Sequence, residues 1–227
     1  MLELNHTFNM DEYVGLSPTH SQSYSYFMYT NLFMYVDIPD ENINLLNGQA
    51  DDLSKECIDY ERKIADAGGI DLFLCGVGHD GHLAFNEPGS SLTSRTRLKT
   101  LCYDTIAANS RFFENAHDVP KQALTVGIQT IMDASEVIMM ATGHTKATAL
   151  KQCIEGSVSS SFTCTAIQNH QKAIVISDEA ATDELCVKTV RYYKSLQENI
   201  EIFVGLSTKR SIPFGTIKIK SLETPAL

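Results

Sequence analysis

The sequence predicts an α/β protein with a doubly wound, Rossmann-like parallel sheet. Three short apolar segments support this prediction. A helical pattern precedes the first segment, and a helical pattern follows each of the other two. Apolar runs of this kind fit strands buried on both faces of a parallel sheet, and alternating strands and helices produce right-handed crossovers. The segments are residues 70–78 (IDLFLCGVG), 136–141 (EVIMMA) and 172–177 (KAIVIS).

Two helices and a short strand are predicted before residue 70. Residues 21–34 are rich in aromatic side chains and place an apolar stripe on one helical face, and residues 42–48 (NINLLNG) favour a strand ended by a glycine. A clearer helix begins after Asp51 or Asp52 and stops at two glycines. Its apolar face consists of Leu53, Cys57, Tyr60 and Ile64.

The later part of the chain continues the same alternation. Helices are predicted at residues 145–155 and 182–197. We therefore expect a single α/β domain over residues 1–197, a length that one hydrophobic core can span. Residues 198–227 form a divergent tail, for which a terminal strand and a loose extension both remain open.

Composition excludes several classes of protein. The 227 residues carry a formal net charge of −10, whereas a nucleic-acid-binding surface is normally basic. No apolar run reaches the length of a membrane span, and the N-terminal sequence does not resemble a signal peptide. The six cysteines are scattered and include no C-x-x-C pair, which favours reduced thiols in the cytoplasm.

The densest group of ionisable residues is GVGHDGHLAFNEP, residues 76–88. It follows a predicted strand, where α/β proteins bind ligands. An imidazole beside carboxylates suits proton transfer, so Asp80, His82 and Glu87 are candidate catalytic residues. A polar turn that caps the next helix is the simpler alternative. His79, Asp80 and His82 could also suggest a metal site, but no further ligand has the usual spacing, and we expect no metal.

A second candidate group lies in TFNMDEYVGL, residues 7–16. Asp11 or Glu12 could abstract a carbon-bound proton if burial partly removed the carboxylate from water. A helix-capping aspartate is the alternative.

Basic residues form a third group. Arg95, Arg97 and Lys99 alternate along a predicted extended segment, so they share one face and suit an oxyanion such as phosphate. Arg111 follows in NSRFF, and Lys146 stands at a predicted helix start. Solvated surface charge is the alternative for each of them.

Together these motifs resemble the glucosamine-6-phosphate deaminase family. The segments FNMDEYVGL, NINLLNG, AFNEPGSSL, SRTR, ANSRFF and ALTVG occur in the order that the family shows, from about Thr7 to Gln197. The resemblance implies an enzyme that converts glucosamine 6-phosphate and water to fructose 6-phosphate and ammonia, without a cofactor. In the implied mechanism His82 opens the sugar ring, Asp80 and Glu87 tune its imidazole, and Asp11 moves a proton from C2 to C1.

The resemblance also implies binding partners. Arg111 and Lys146 would hold the substrate phosphate. Ser90, Arg97 and Lys99 match positions that contact an activator, N-acetylglucosamine 6-phosphate, and family members commonly form hexamers. The family begins with a strand–loop–helix unit that carries a phosphate-binding loop, and we expect that unit to be missing before Thr7.

Two alternatives to an active deaminase are considered. The chain could be a non-catalytic remnant that binds sugar phosphate or associates with full-length subunits. It could instead be a 6-phosphogluconolactonase, an enzyme with a similar G-x-G-x-D-G-H loop. The continuation LAFNEP after His82 and the presence of Asp11 favour the deaminase, since a lactone hydrolase needs no base at carbon.

Overall fold

A computed structural model of the chain describes residues 5–206 and 219–221. These residues form two compact units. Unit 1 contains residues 5–69, 84–86 and 94–130, and unit 2 contains residues 70–83, 87–93, 131–206 and 219–221.

The described residues contain nine strands and six α-helices, numbered in chain order. The strands are β1 (Thr7–Phe8), β2 (Asp11–Tyr13), β3 (Ile43–Asn44), β4 (Leu72–Gly76), β5 (Arg97–Thr100), β6 (Gln122–Thr125), β7 (Glu136–Ala141), β8 (Ala173–Ser177) and β9 (Ile219–Ser221). The helices are α1 (Tyr24–Asn31), α2 (Leu53–Asp66), α3 (Tyr103–Asn109), α4 (Ile128–Met132), α5 (Ala147–Glu155) and α6 (Val187–Leu206). None of the helices in the described ranges is both long and apolar enough to cross a bilayer.

Unit 1 is built on an antiparallel sheet that the sequence did not predict. Its strand order is β2-β6-β5, and a separate parallel pair joins β1 to β3. The central strand β6 is buried at three of its four residues and pairs with a strand on each side. Tyr13, Phe85, Leu101 and Ala123 form a hydrophobic cluster in this unit.

Helix α2 confirms the sequence prediction for residues 51–69. Asp52 is the N-cap and accepts a hydrogen bond from the backbone N–H of Lys55, and Cys57, Tyr60 and Ile64 are the buried residues. The Tyr60 hydroxyl donates to the carbonyl oxygens of Asn9 and Asn44 at 2.7 and 3.1 Å, which ties the helix to the chain beside β1 and β3.

Unit 2 contains the predicted parallel sheet. Its strand order is β4-β7-β8-β9, and each neighbouring pair runs parallel. The register aligns alternate residues into one buried face, since successive side chains of a strand point to opposite sides. That face consists of Phe73, Cys75, Val137, Met139, Ala141, Ala173, Val175 and Ser177.

The prediction that residues 70–78 are buried on both faces is wrong. Leu72 and Leu74 remain 52% and 53% exposed, whereas Phe73 is 5% exposed. Strand β4 pairs only with β7 among the described residues, and its alternate side chains face away from the buried side. Apolar composition favours burial on two sides, but among the described residues only one face of β4 is covered.

Several predicted boundaries also shift. The last helix begins at Val187 and runs to Leu206, five residues later than predicted at its start, because a 3₁₀ turn at Ala180–Thr182 comes first. The strand predicted at residues 42–48 is reduced to Ile43–Asn44. Strand β9 lies in the divergent tail, while residues 207–218 and 222–227 of that tail lie outside the described residues. The expected absence of an N-terminal unit and the boundary after residue 197 stay predictions.

Candidate functional site

The candidate residues are divided between the two units. Unit 1 holds Asp11, Arg97, Lys99 and Arg111, and unit 2 holds Asp80, His82, Glu87, Ser90 and Lys146. The convergence of Asp11 and His82 on one substrate stays a prediction.

Asp11 is the first residue of β2 and is only 8% exposed. It lies on a strand that pairs with buried β6, opposite Thr125. Burial raises the pKa of the Asp11 carboxyl from 3.8 to about 8, and the neighbouring charge of Glu12 adds to the increase. Such a carboxyl can hold or accept a proton near neutral pH, as a general base must.

Glu12 has a different role from Asp11, because it caps helix α1. Its carboxylate accepts hydrogen bonds from the backbone N–H groups of Tyr13, Tyr24 and Ser25 at 2.8, 3.1 and 2.9 Å. The Ser23 hydroxyl donates to the same carboxylate at 2.7 Å. Helix capping was expected of an aspartate, but the structure places Glu12 at this helix N-terminus, where a carboxylate with four donors is stabilised.

Two tyrosines lie beside these carboxylates. The rings of Tyr13 and Tyr24 stack with centroids 5.5 Å apart, and their hydroxyl groups are hydrogen-bonded to each other. Burial raises the pKa of Tyr24 far above its usual range, and the charge of Asp11 contributes in the same direction. Tyr24 therefore stays protonated, and its hydroxyl group interacts electrostatically with the Asp11 carboxyl.

Asp80 and His82 form the predicted pair in unit 2. Nδ1 of His82 lies 2.6 Å from Oδ1 of Asp80, a distance typical of a charge-assisted contact, although the oxygen does not lie along the ring N–H direction. Asp80 also accepts the backbone N–H of His82 at 3.2 Å. Burial alone would raise the pKa of Asp80, but its contacts with His82 hold that pKa below its usual range. Asp80 is therefore suited to orient the imidazole as a carboxylate.

A tight turn produces this arrangement. The N–H of Gly78 donates to the carbonyl of His82, and the N–H of Gly81 donates to the carbonyl of Gly78. Gly81 has a φ of +81°, which favours glycine, and its carbonyl accepts the N–H of Cys164 at 2.8 Å. The turn folds the chain back so that the His82 ring packs directly over Gly78.

Glu87 and Ser90 stand in the next turn. Glu87 is 6% exposed, and its carbonyl accepts the backbone N–H of Ser90. The Ser90 hydroxyl is buried and has no hydrogen-bond partner within the described residues. A buried hydroxyl of this kind is unfavourable unless something else satisfies it, which is consistent with a ligand-binding position.

The cations of unit 1 lie on β5 and near α3. Arg97 and Lys99 alternate along β5 and are both partly buried, which confirms that they share one face of an extended segment. Arg97 donates to Oδ1 of Asn86 at 2.8 Å. Arg111 lies in a 3₁₀ turn after α3, and its guanidinium lies 4.7 Å from the centroid of the Phe112 ring.

Lys146 ends a 3₁₀ turn that leads into α5, in the loop that follows β7. Asp178, directly after β8, holds the start of this loop. Its two carboxylate oxygens accept the N–H of Gly143 at 3.0 and 2.9 Å, and Oδ1 also accepts the N–H of Ala181. One carboxylate thus joins two loops at the carboxyl edge of the parallel sheet.

Sequence reasoning missed several supporting residues. Asp178 and Asn86 were not singled out, although an acidic residue directly after a strand is a recognisable signal. Gly78 lies in the motif GVGHDGHLAFNEP, but only the structure shows that the His82 ring requires a glycine there. The paired tyrosines could not be predicted, because Tyr13 and Tyr24 are brought together only by the fold.

The chain was compared with protein families and known proteins. The family model described as "Glucosamine-6-phosphate isomerases/6-phosphogluconolactonase" matches residues 4–176. A glucosamine-6-phosphate deaminase of Glaesserella parasuis is 59% identical over 195 residues, which cover 86% of this chain and 74% of the relative.

Solved structures show the same relationship. A structure of a monomeric glucosamine-6-phosphate deaminase has a TM-score of 0.77 and 39% identity, covering 79% of this chain and 74% of its own. A 6-phosphogluconolactonase from Thermotoga maritima has a TM-score of 0.59 at 19% identity, over 76% of this chain and 72% of its own, and shares the fold alone. The chain therefore belongs to the glucosamine-6-phosphate isomerase/6-phosphogluconolactonase family, within which it groups with the glucosamine-6-phosphate deaminases.

Proposed function

We propose that this protein is a glucosamine-6-phosphate deaminase, which converts glucosamine 6-phosphate and water to fructose 6-phosphate and ammonia. The observation that carries the proposal is the buried carboxyl of Asp11, with a pKa of about 8, in a chain that is 59% identical to a named deaminase. An aldose–ketose shift needs a base at carbon, whereas hydrolysis of a lactone does not. The function is therefore distinguished from that of the lactonases that share the fold.

The first step of the proposed mechanism is opening of the pyranose ring. His82 passes a proton between the anomeric hydroxyl and the ring oxygen, which breaks the bond between C1 and that oxygen. Asp80 supports this step because its carboxylate lies 2.6 Å from the imidazole and stabilises the protonated ring. Glu87 has a supporting role on the same imidazole.

The second step is the proton shift. Asp11, in its ionised form, removes the proton from C2 of the open-chain sugar, and the electron pair forms an enol-type intermediate. Asp11 then returns a proton to C1, and water replaces the 2-imino group, releasing ammonia and leaving the ketone. Acid–base groups are sufficient for each of these steps.

Cationic side chains hold the phosphate in this proposal. Arg111 supplies a planar guanidinium, and Lys146 supplies an ammonium at the start of α5, where the helix dipole also favours an anion. The overall charge of −10 makes such local cations necessary, because the general field of the protein repels an anionic substrate.

The proposal also covers the regulation of the enzyme, its assembly and its location in the cell. The buried, unpartnered Ser90 hydroxyl and the shared face of Arg97 and Lys99 support a second phosphate site for an activator such as N-acetylglucosamine 6-phosphate. Because the solved relative is described as monomeric, the proposed homo-oligomer needs a direct test by size-exclusion chromatography with light scattering. None of the six cysteines, all of which lie in the described residues, forms a disulfide, which supports a cytoplasmic location.

The function is tested with purified protein and glucosamine 6-phosphate deuterated at C2. We expect ammonia and fructose 6-phosphate in equal amounts, with part of the deuterium recovered at C1. Asp11→Asn should abolish both products. Absence of ammonia release by folded wild-type protein, or hydrolysis of 6-phosphogluconolactone in its place, would overturn the proposal.

A further inference from the structure

The chain between His82 and Glu87 contains a strained residue. Ala84 has a φ of +51° and is the one non-glycine residue with positive φ in the described ranges. A left-handed conformation is unfavourable for alanine, because its Cβ lies too close to the following carbonyl oxygen. Such strain persists only where surrounding contacts fix the backbone, and it is often found at functional sites.

Two hydrogen bonds to the end of β6 fix this segment. The backbone N–H of Phe85 donates to the hydroxyl of Thr125 at 3.1 Å. The side-chain amide of Asn86 donates through Nδ2 to the carbonyl of Val126 at 2.8 Å. Asn86 is completely buried, so an unmade bond at this position would be costly.

Arg97 completes the arrangement from β5. Its guanidinium donates to Oδ1 of Asn86 at 2.8 Å. The amide has only one workable orientation, because a guanidinium can only donate and the Val126 carbonyl can only accept. Asn86 therefore connects a cation on β5 to the backbone at Val126, directly after β6.

We propose that Asn86, oriented by Arg97, is a positioning residue that sets the place of the Glu87 carboxylate. The proposal rests on the proposed function, in which Glu87 supports the ring-opening imidazole. One peptide bond separates Asn86 from Glu87, so a shift of the Asn86 backbone moves Glu87 directly. Without the amide, Arg97 keeps only its longer bond to the Arg95 carbonyl and Val126 only that from the Thr125 hydroxyl, both at 3.3 Å. The strain at Ala84 also loses one of its restraints.

The test combines NMR with kinetics in the full chain. Protein is prepared with isotope-labelled glutamate, and the Glu87 carboxyl resonance is assigned by its absence in Glu87→Gln. Asn86→Ala is expected to move the Glu87 resonance across the pH range studied. It is also expected to lower kcat about tenfold with KM changed less than about twofold, since supporting partners of active groups typically contribute at this level.

Arg97 variants keep the test decisive if Asn86→Ala does not fold. Arg97→Ala should reproduce the changes in Glu87 resonance and kcat, and Arg97→Lys should partly restore them, in assays without activator. Arg62→Ala is the matched control, since Arg62 is an arginine that bonds Asp59 on the exposed surface of α2.

The outcomes separate the two proposals. If Arg97→Ala and Asn86→Ala leave the Glu87 resonance and the pH profile of kcat unchanged while lowering only stability, the positioning role is wrong. If wild-type protein releases no ammonia, the proposed function fails, and the NMR measurement alone still decides whether Asn86 positions Glu87.

Discussion

The imidazole of His82 packs against the α-carbon of Gly78 with no space for a side chain. A β-carbon added to Gly78 would lie 2.4 Å from both Cε1 and Nδ1 of the ring and 2.6 Å from Nε2. These distances are far below van der Waals contact. Position 78 therefore has to be glycine because the imidazole occupies the space that a side chain would need, and not because the backbone has to be flexible.

Gly78→Ala is therefore expected to displace the imidazole and to reduce kcat/KM for glucosamine 6-phosphate by about 100-fold, because small misplacements of a reacting group have effects of that size. Gly76→Ala is the control, since its added β-carbon would have only the Met140 carbonyl oxygen within 4 Å, at 3.9 Å. Steady-state kinetics on both variants checks the prediction. Equal activity of Gly78→Ala and wild type would contradict it.

Asp11→Asn is expected to abolish activity and to increase stability at alkaline pH. The pKa of Asp11 is raised from 3.8 to about 8 in the folded protein, so the folded state retains a proton that the unfolded state releases. The stabilisation that the neutral Asp11 carboxyl provides is fully present below 3.8, its pKa in the unfolded state. It is lost as the pH rises through about 8, its pKa in the folded state. The loss between these two values amounts to as much as about 6 kcal/mol.

Urea unfolding at several pH values measures this effect. The difference between Asp11→Asn and wild type should grow as pH rises from 3.8 to about 8 and then level off. In the wild-type enzyme, kcat/KM should increase with pH as Asp11 ionises. A stability difference that does not depend on pH would show that the carboxyl is not buried as described.

Glu12→Gln is expected to destabilise unit 1 by roughly 2–3 kcal/mol, because an amide cannot accept all four hydrogen bonds that the carboxylate accepts. Ser23 remains the N-cap of α1, but loss of the Glu12 carboxylate should still reduce protection of the first turn of α1 in hydrogen-exchange measurements. Glu114→Gln is the matched control, since Glu114 is an exposed glutamate in the same unit. Equal unfolding free energies for the two variants would argue against the capping role.

Asp178→Asn is expected to raise KM for glucosamine 6-phosphate about tenfold while kcat changes little, because the loop that carries Lys146 loses its bidentate anchor at Gly143. Asp183→Asn provides the comparison, since its contact with His144 is exposed and contributes about 0–1 kcal/mol. Isothermal titration with fructose 6-phosphate gives a second measure. A fall in kcat with unchanged KM would assign Asp178 another role.

Local sequence patterns predicted the elements whose stability depends on neighbours along the chain. Helix α2 has a capping aspartate and an apolar stripe, and its bounds agree with the prediction to within a few residues. Strand β7 has the predicted bounds, residues 136–141. In both cases the spacing of apolar residues carries the information, because a helix and a strand repeat with different periods.

Strand β6 shows where such patterns stop being sufficient. Its sequence, QALT, is short and has no distinctive period, and it becomes a central strand only through pairing with β2 and β5. The exposed side of β4 was likewise misjudged, because composition does not report how many faces of a strand are covered. Partners distant in the chain decide both features.

The sequence alone determined the class of fold, the motif residues of the proposed site and the family resemblance, since these depend on residue types and spacing. Tertiary structure decided how the carboxylates differ: Asp11 is buried with a raised pKa, while its neighbour Glu12 accepts four hydrogen bonds at a helix N-terminus. The physical reason is that a carboxylate's chemistry depends on desolvation and on nearby donors. Both are supplied by residues that only folding brings together.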